Sequence, residues 1–415
     1  MLVGVFLLES LLLPAASALD TSHYSEQNNT PMQKRQSVGD LEKDATWDDW
    51  NGVIPLKFTN LCEDTIWPAL LTQNGNGPTT GGFELQSGKD KLLWTGENWE
   101  GRIWGRTNCT VNGESASCKT GDCGGKISCS LSVSATWLLS LEPKHANLSK
   151  GAVPATLTEI TLIGGINKDQ SFYDISLVDG YNIPMAVKHI PPKNASKPIP
   201  PNLTNPACIA TAGWIWEPTP LGTIYGSAEY PIPWEIHVTN QNVRRWCPWD
   251  QLAFPPDKPG DGIFPYPDDN VPRTDFSPCL SRCSVTNAPK DCCTGKFDDP
   301  KKCKPSLYSR AAKAMCPDAY SFAYDDHLST FAVPKGGGFE VIFCPEGRST
   351  NILATLASPL SELAANGVLS DATLALLRNS TYIRIQAEEA AGIRASLKAP
   401  WLVLGVALAG LLPMF

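Results

Sequence analysis

The sequence predicts a mainly β fold, a β-sandwich joined to a disulfide-rich lobe of loops and helices, and three observations predict it. Short runs of alternating apolar and polar residues recur between Gly, Asn and Asp turns, the rhythm of half-buried sheet. Fourteen cysteines, an even number, begin only at Cys62 and stop at Cys344, so a cross-linked body occupies the middle of the chain. The stretch GRIWGRTNCTVNGESASCKTGDCGGKISC, residues 101–129, joins both signals by leading a strand into two cysteine-bounded loops. Cys109 and Cys118 bracket Asn112-Gly113, a turn pair, while Cys123 and Cys129 bracket Gly124-Gly125, where backbone freedom permits tight closure. A zinc knuckle is disfavoured because the run has no histidine and the chain has only 5. Disulfides are the better reading.

At 415 residues, with 42% apolar and 18% charged side chains, the chain can bury a full core and carry appendages. A net charge of -8 without a Lys/Arg stripe argues against nucleic acid as a partner. Neutral or polar ligands fit better, and no cofactor or metal is expected.

Residues 1–18 read as a signal peptide: Met1 to Pro14 is apolar apart from Glu9 and Ser10, and Ala16-Ser17-Ala18 supplies small residues for cleavage. Sequons at Asn28, Asn108, Asn147, Asn194, Asn202 and Asn379 agree with passage through the secretory route. Residues 19–52 are polar and contain Lys34-Arg35, which suits either a removable propeptide or a disordered tail. From Ile54 a strand begins, Leu56 and Phe58 on one face and Lys57 and Thr59 on the other. Further strands are expected at Thr65–Leu71, Lys91–Thr95, Arg102–Arg106, Ser132–Leu141, Thr156–Ile163, Phe172–Val178 and Phe339–Phe343.

Between Cys208 and Cys316 the strand rhythm fades and the cysteines crowd, the mark of a bridged lobe. Its best helix is Ser306–Met315. Residues 209–278 are dense in Pro and aromatics, including Trp214 and Trp249. Such rings stack on sugars, although packing of an irregular segment is their commoner use. Residues 346–392 have apolar side chains at helical spacing (Leu360, Leu363, Leu369, Leu374, Leu377) interrupted near Gly367, which predicts a helical hairpin or stalk. Small residues around Ala390, a short spacer and the apolar terminus Pro400 to Phe415 match a GPI-attachment signal over 393–415. The run is short for a membrane span and has no basic residue behind it, so a lipid anchor in the outer leaflet is expected.

The runs R-I-W-G-R-T-N-C (102–109), T-G-D-C-G-G (120–125), D-I-S-L-V-D-G-Y-N-I-P-M (174–185), the vicinal Cys292-Cys293, C-P-D-A-Y-S (316–321) and F-C-P (343–345) together resemble the thaumatin-like proteins. The resemblance covers about Ile54 to Pro345. It implies a thaumatin-like flattened β-sandwich over 53–345, with 209–278 as an insertion, a disulfide-rich second lobe, and a ligand cleft between them. Typical members have sixteen cysteines; here Ala332-Val333 follows Ser329-Thr330-Phe331 where one is expected, and its partner ahead of Cys208 is also absent. Family order implies the pairs Cys62–Cys344, Cys109–Cys118, Cys123–Cys129, Cys208–Cys316, Cys247–Cys279, Cys283–Cys292 and Cys293–Cys303.

The resemblance also implies an acidic cleft of Arg102, Glu159, Asp174, Asp179 and one of Asp325 and Asp326, of which Asp325 is favoured. Within 156–163, Ile160 and Leu162 take one face, which leaves Glu159 on the other. Glycoside hydrolysis needs one protonated and one ionised carboxyl, and crowded carboxylates beside an Arg supply that split. The expectation is a monomeric cell-surface or wall protein acting on β-1,3-glucan, a weak endo-β-1,3-glucanase with Glu159 as acid and Asp179 as its partner. The alternative is a non-catalytic β-glucan-binding or structural wall protein.

Overall fold

The computed structural model describes residues 52–129, 152–209, 229–230, 247–255, 257, 278–345 and 351–378. The expected signal peptide, the expected tail up to residue 51, the expected strand at Ser132–Leu141, Trp214, Ala390 and the expected anchor signal lie outside these residues.

Two sheets carry the fold. Strands β1 (Val53–Asn60), β3 (Asp90–Gly96), β8 (Met185–Ile190), β9 (Ala207–Cys208) and β11 (Gly338–Phe343) form the first, in the order β3-β1-β11-β8-β9. The second has the order β10-β7-β6-β4-β2, from β2 (Ile66–Asn74), β4 (Glu100–Asn112), β6 (Leu157–Gly164), β7 (Gln170–Ser176) and β10 (Phe331–Pro334), with β5 (Ser115–Thr120) added to β4. Pairing is antiparallel except between β1 and β11. One apolar cluster draws on both sheets, with Leu56, Phe58, Val187, Val341 and Phe343 from the first and Ile66, Leu70, Ile103, Ile160, Tyr173 and Phe331 from the second. This is the expected sandwich, and strand alternation builds it. Opposite Leu56 and Phe58, Lys57 faces Glu340 (3.3 Å) and Lys188 faces the other oxygen of Glu340 (3.6 Å), a charge ladder across three strands.

The run after β7 enters the core as a polar hub. Asn182 is fully buried; its Nδ2 donates to Gly105 O (2.8 Å) and Thr120 Oγ1 (2.9 Å), and its Oδ1 accepts from Thr156 N (3.0 Å) and Ile183 N (2.8 Å). Four satisfied bonds remove the cost of burying an amide and tie β4 and β5 to the residue just ahead of β6. Just ahead of it Gly180 has φ 92, and a Cβ there would meet Cys279 O at 2.3 Å, so only glycine lets this turn touch the bridged lobe. Arg106 is a second hub: its guanidinium, 0% exposed, donates to the carbonyls of Trp67, Lys126 and Ile127 at 2.9, 2.8 and 2.7 Å. Burial lowers its pKa to about 10, opposed by the Asp122 charge. The second Arg of the R-I-W-G-R run is therefore structural.

Seven disulfides fasten this body in the pairing that the resemblance implies: Cys62–Cys344, Cys109–Cys118, Cys123–Cys129, Cys208–Cys316, Cys247–Cys279, Cys283–Cys292 and Cys293–Cys303. Two short helices, α2 (Arg282–Thr286) and α3 (Pro289–Cys292), are pinned by the last two bridges, after α1 (Pro201–Thr204) earlier in the chain. Helix α4 (Leu307–Met315) is capped by Ser306, whose Oγ accepts from Ser309 N, and Tyr308 Oη donates to Leu177 O (2.6 Å), which docks the lobe on the sandwich. Trp249 is buried in the shared apolar cluster, the packing use of its aromatic segment.

Among the described residues three helices follow Cys344: α5 (Ile352–Thr355), α6 (Ala357–Asn366) and α7 (Asp371–Leu377), with Gly367 ending α6 at φ 69 and Ser370 capping α7. The hairpin does not stand off as a stalk. Leu360, Leu363, Leu369, Leu374 and Leu377 join the main apolar cluster. Asp318 accepts from Ile352 N (3.0 Å) and Leu353 N (2.9 Å), Gln170 Nε2 donates to Ala364 O (2.7 Å), and Asn202 Nδ2 donates to Leu377 O (2.6 Å). Periodicity located these helices but carried no information on where their apolar face is buried.

His189 of β8 lies in the core beside Tyr173 and Phe339, and neither ring nitrogen has a hydrogen-bond partner among the described residues. Burial lowers its pKa from 6.5 to about 3. The fold thus selects the neutral ring, and this contribution is fully present above the unfolded pKa of about 6.5 and is lost as pH falls toward 3. Urea unfolding at pH 6 and pH 4 is expected to show the wild type losing about 1.4 kcal/mol per pH unit from this group. His189→Leu should lose correspondingly less over the same interval.

Candidate functional site

The second sheet places three charged side chains in one row on its face away from the inter-sheet core. Arg102 on β4 is in register with Glu159 on β6, and Glu159 with Asp174 on β7. Direct cross-strand partners have Cβ atoms about 4.5–5.5 Å apart, so strand pairing alone brings the three together. Alternation explains the facing: Ile103, Ile160 and Tyr173, the immediate neighbours, are all in the core.

Arg102 Nε lies 2.6 Å from Glu159 Oε1, an ion pair rather than an aligned hydrogen bond. Both side chains are partly exposed, so the pair adds about 1 kcal/mol at most to folding. Its larger effect is on the neighbouring carboxyl. Asp174 Oδ1 is covered from solvent and has no hydrogen-bond partner among the described residues. Burial holds the Asp174 carboxyl well above the usual carboxylate range, the Glu159 charge raises it further, Arg102 opposes, and Asp326 adds to the rise. One carboxyl engaged by a guanidinium therefore sits beside one that favours its proton, the division that acid–base chemistry requires.

The fifth acid falls differently from the expectation. Asp325 is turned to the lobe: its Oδ2 is 3.1 Å from Lys313 Nζ of α4 and accepts from Ser321 N (3.1 Å) and Oγ (2.9 Å). Asp326 is the acid whose charge reaches Asp174, and its Oδ1 accepts from Tyr320 Oη (2.8 Å). Alternation cannot choose between adjacent aspartates in an irregular loop, so strand patterning leaves both Asp325 and Asp326 open. Asp179 lies past the end of β7, in the turn closed by Gly180 N to Leu177 O (3.1 Å), and its charge bears on Tyr308 rather than on Asp174. Tyr320 was not foreseen. Its backbone bonds to Ile175 O and receives Leu177 N, both 2.8 Å, so it continues the edge of β7, and burial raises its phenol pKa. The D-A-Y-S run named it only as part of a motif.

A two-sheet sandwich, a helix-containing lobe held by disulfides and an acid row on the second sheet define a thaumatin-like domain. The chain belongs to the Thaumatin family, which it matches over residues 60–345. It is 34% identical over 292 residues to thaumatin-like protein 1 of Pyrus pyrifolia, covering 69% of this chain and 89% of that protein. It is 32% identical over 296 residues to pathogenesis-related protein 5 of Arabidopsis thaliana, covering 71% and 92%. Among solved structures, the thaumatin-like xylanase inhibitor TLXI is 30% identical, covers 32% of this chain and 76% of its own, and has a TM-score of 0.25.

Proposed function

We propose that this protein acts on β-1,3-glucan at the cell surface through the Arg102–Glu159–Asp174 row, as a weak endo-glucanase. The observation that carries the reading is the pairing of an Arg-engaged Glu159 with a proton-retaining Asp174 in register across β6 and β7. This reassigns the roles expected from sequence: Asp174 donates the proton to the leaving oxygen, and Glu159 is the charged partner, while Asp179 stands outside the reacting pair. A second reading, glucan binding without cleavage, is favoured by the covering of Asp174 Oδ1.

Secretion, removal of residues up to Arg35 and a lipid anchor at Ala390 complete the proposal, with the protein acting as a monomer. Pairing of all the cysteines supports an oxidising compartment. Among the described residues no helix is long and apolar enough to cross a membrane. Co-sedimentation of the ectodomain with insoluble β-1,3-glucan, cellulose and xylan tests the substrate class. Retention on β-1,3-glucan alone is expected; equal retention on all three, or on none, removes the glucan assignment.

A further inference from the structure

A cavity lies apart from the acid row. It has a volume of about 520 Å³ and opens beside the Cys62–Cys344 bridge, between the start of β2, the β4–β5 arm and Ile183-Pro184. Small-molecule pockets fall in the range of about 300–1,000 Å³. Thr107, which lines it, is five positions along β4 from Arg102, a path of ~17 Å at about 3.3 Å per residue. Trp67, Ile183 and Pro184 line it, and Glu63 and Asp64 supply exposed carboxylates. An aromatic face for the C–H side of a sugar, with acceptors for its hydroxyls at the margin, is saccharide chemistry. The Trp67 ring is also incomplete. Its carbonyl is fixed by Arg106 Nε (2.9 Å), yet its indole Nε1 is covered from solvent and has no acceptor among the described residues.

The lining includes the residue that would deliver the sugar. Asn108 is exposed, has a left-handed φ of 48, and begins the sequon Asn108-Cys109-Thr110. The other two sequons among the described residues contrast with it. Asn202 is fully buried and committed to Leu377 O, whereas Asn194 is exposed but does not line this cavity. We propose that Asn108 carries an N-linked glycan whose first sugars occupy this cavity against Trp67. The inference rests on the secreted reading above. In that compartment a transferase joins the Asn108 side-chain nitrogen to C1 of the first N-acetylglucosamine. The C1–O bond to a lipid-pyrophosphate donor breaks, the lipid pyrophosphate leaves, and the amide nitrogen gives up a proton.

The test uses the full chain secreted from a glycosylating eukaryotic host, as wild type and as Thr110→Val, which removes the sequon but keeps Asn108. Enzymatic deglycosylation in heavy-oxygen water followed by peptide mass spectrometry reads site occupancy, and hydroxyl-radical footprinting reads the accessibility of Trp67. The expected result is glycan on Asn108 and severalfold less oxidation of Trp67 in the wild type than in Thr110→Val. Bare Asn108 with glycan on Asn194 overturns this proposal and leaves secretion standing. Glycan on Asn108 with equal oxidation of Trp67 overturns the seating. Absence of glycan at both sites overturns the proposal, and failure of the chain to leave the cytoplasm of the host overturns secretion.

Discussion

Asp174→Asn is expected to abolish release of reducing ends from β-1,3-glucan, by about 10²–10⁴-fold, while retention on the polymer stays within about twofold. The amide keeps the shape of the side chain but cannot give a proton to the leaving oxygen. Unfolding does not explain such a loss, because the sign of the stability change is opposite. The fold raises the Asp174 pKa above its unfolded value. Ionisation of this half-buried carboxyl therefore costs the native state as pH rises above about 4. An uncharged amide escapes that cost, so urea unfolding at pH 7 should find Asp174→Asn at least as stable as wild type. The same shift predicts that hydrolysis declines on the alkaline side, where Asp174 loses its proton. Glu159→Gln should also lower turnover, and it additionally frees Arg102 from its ion pair.

The second large effect concerns the bridge that closes the sandwich. Cys62 and Cys344 are separated by 282 residues, against 9 for Cys109 and Cys118. In the chain-entropy model removal of the long bridge costs about 5–6 kcal/mol and of the short one about 2–3 kcal/mol. The parallel pairing of β1 with β11 joins segments from opposite ends of the fold, and the long bridge sits where that pair ends. Replacing both Cys62 and Cys344 with Ser should lower the urea midpoint by roughly twice as much as replacing Cys109 and Cys118. Equal shifts would mean that β1–β11 pairing survives in the unfolded ensemble.

Strands with one face in the core and one in solvent were legible because alternation reports that asymmetry: β1, β6 and β7 fall where the sequence puts them, give or take two residues. β8 was not legible. It lies between β11 and β9, its run Met185-Ala186-Val187 is buried on both faces, and a strand covered on both sides loses its alternation. β10 was hidden by its four-residue length and terminal Pro334. The members of the acid row were named through the family resemblance, and alternation supplied only the facing of Glu159; the register that aligns Arg102, Glu159 and Asp174 comes from the structure. The surroundings of its loop members were not legible, since Asp325 and Asp326 sit in an irregular segment where their partners Lys313 and Tyr320 follow no strand or helix period, and Asp179 acts on Tyr308, which is distant in sequence. The docking of α6 and α7 was illegible for the same reason.

Incubation of the purified wild-type ectodomain with soluble β-1,3-glucan, with new reducing ends measured alongside retention of the polymer, tests the central claim most directly. Retention together with a steady rise of reducing ends that Asp174→Asn eliminates is the predicted result, whereas glucan retained by the wild type without any new ends would contradict the acid–base role of the Glu159–Asp174 pair.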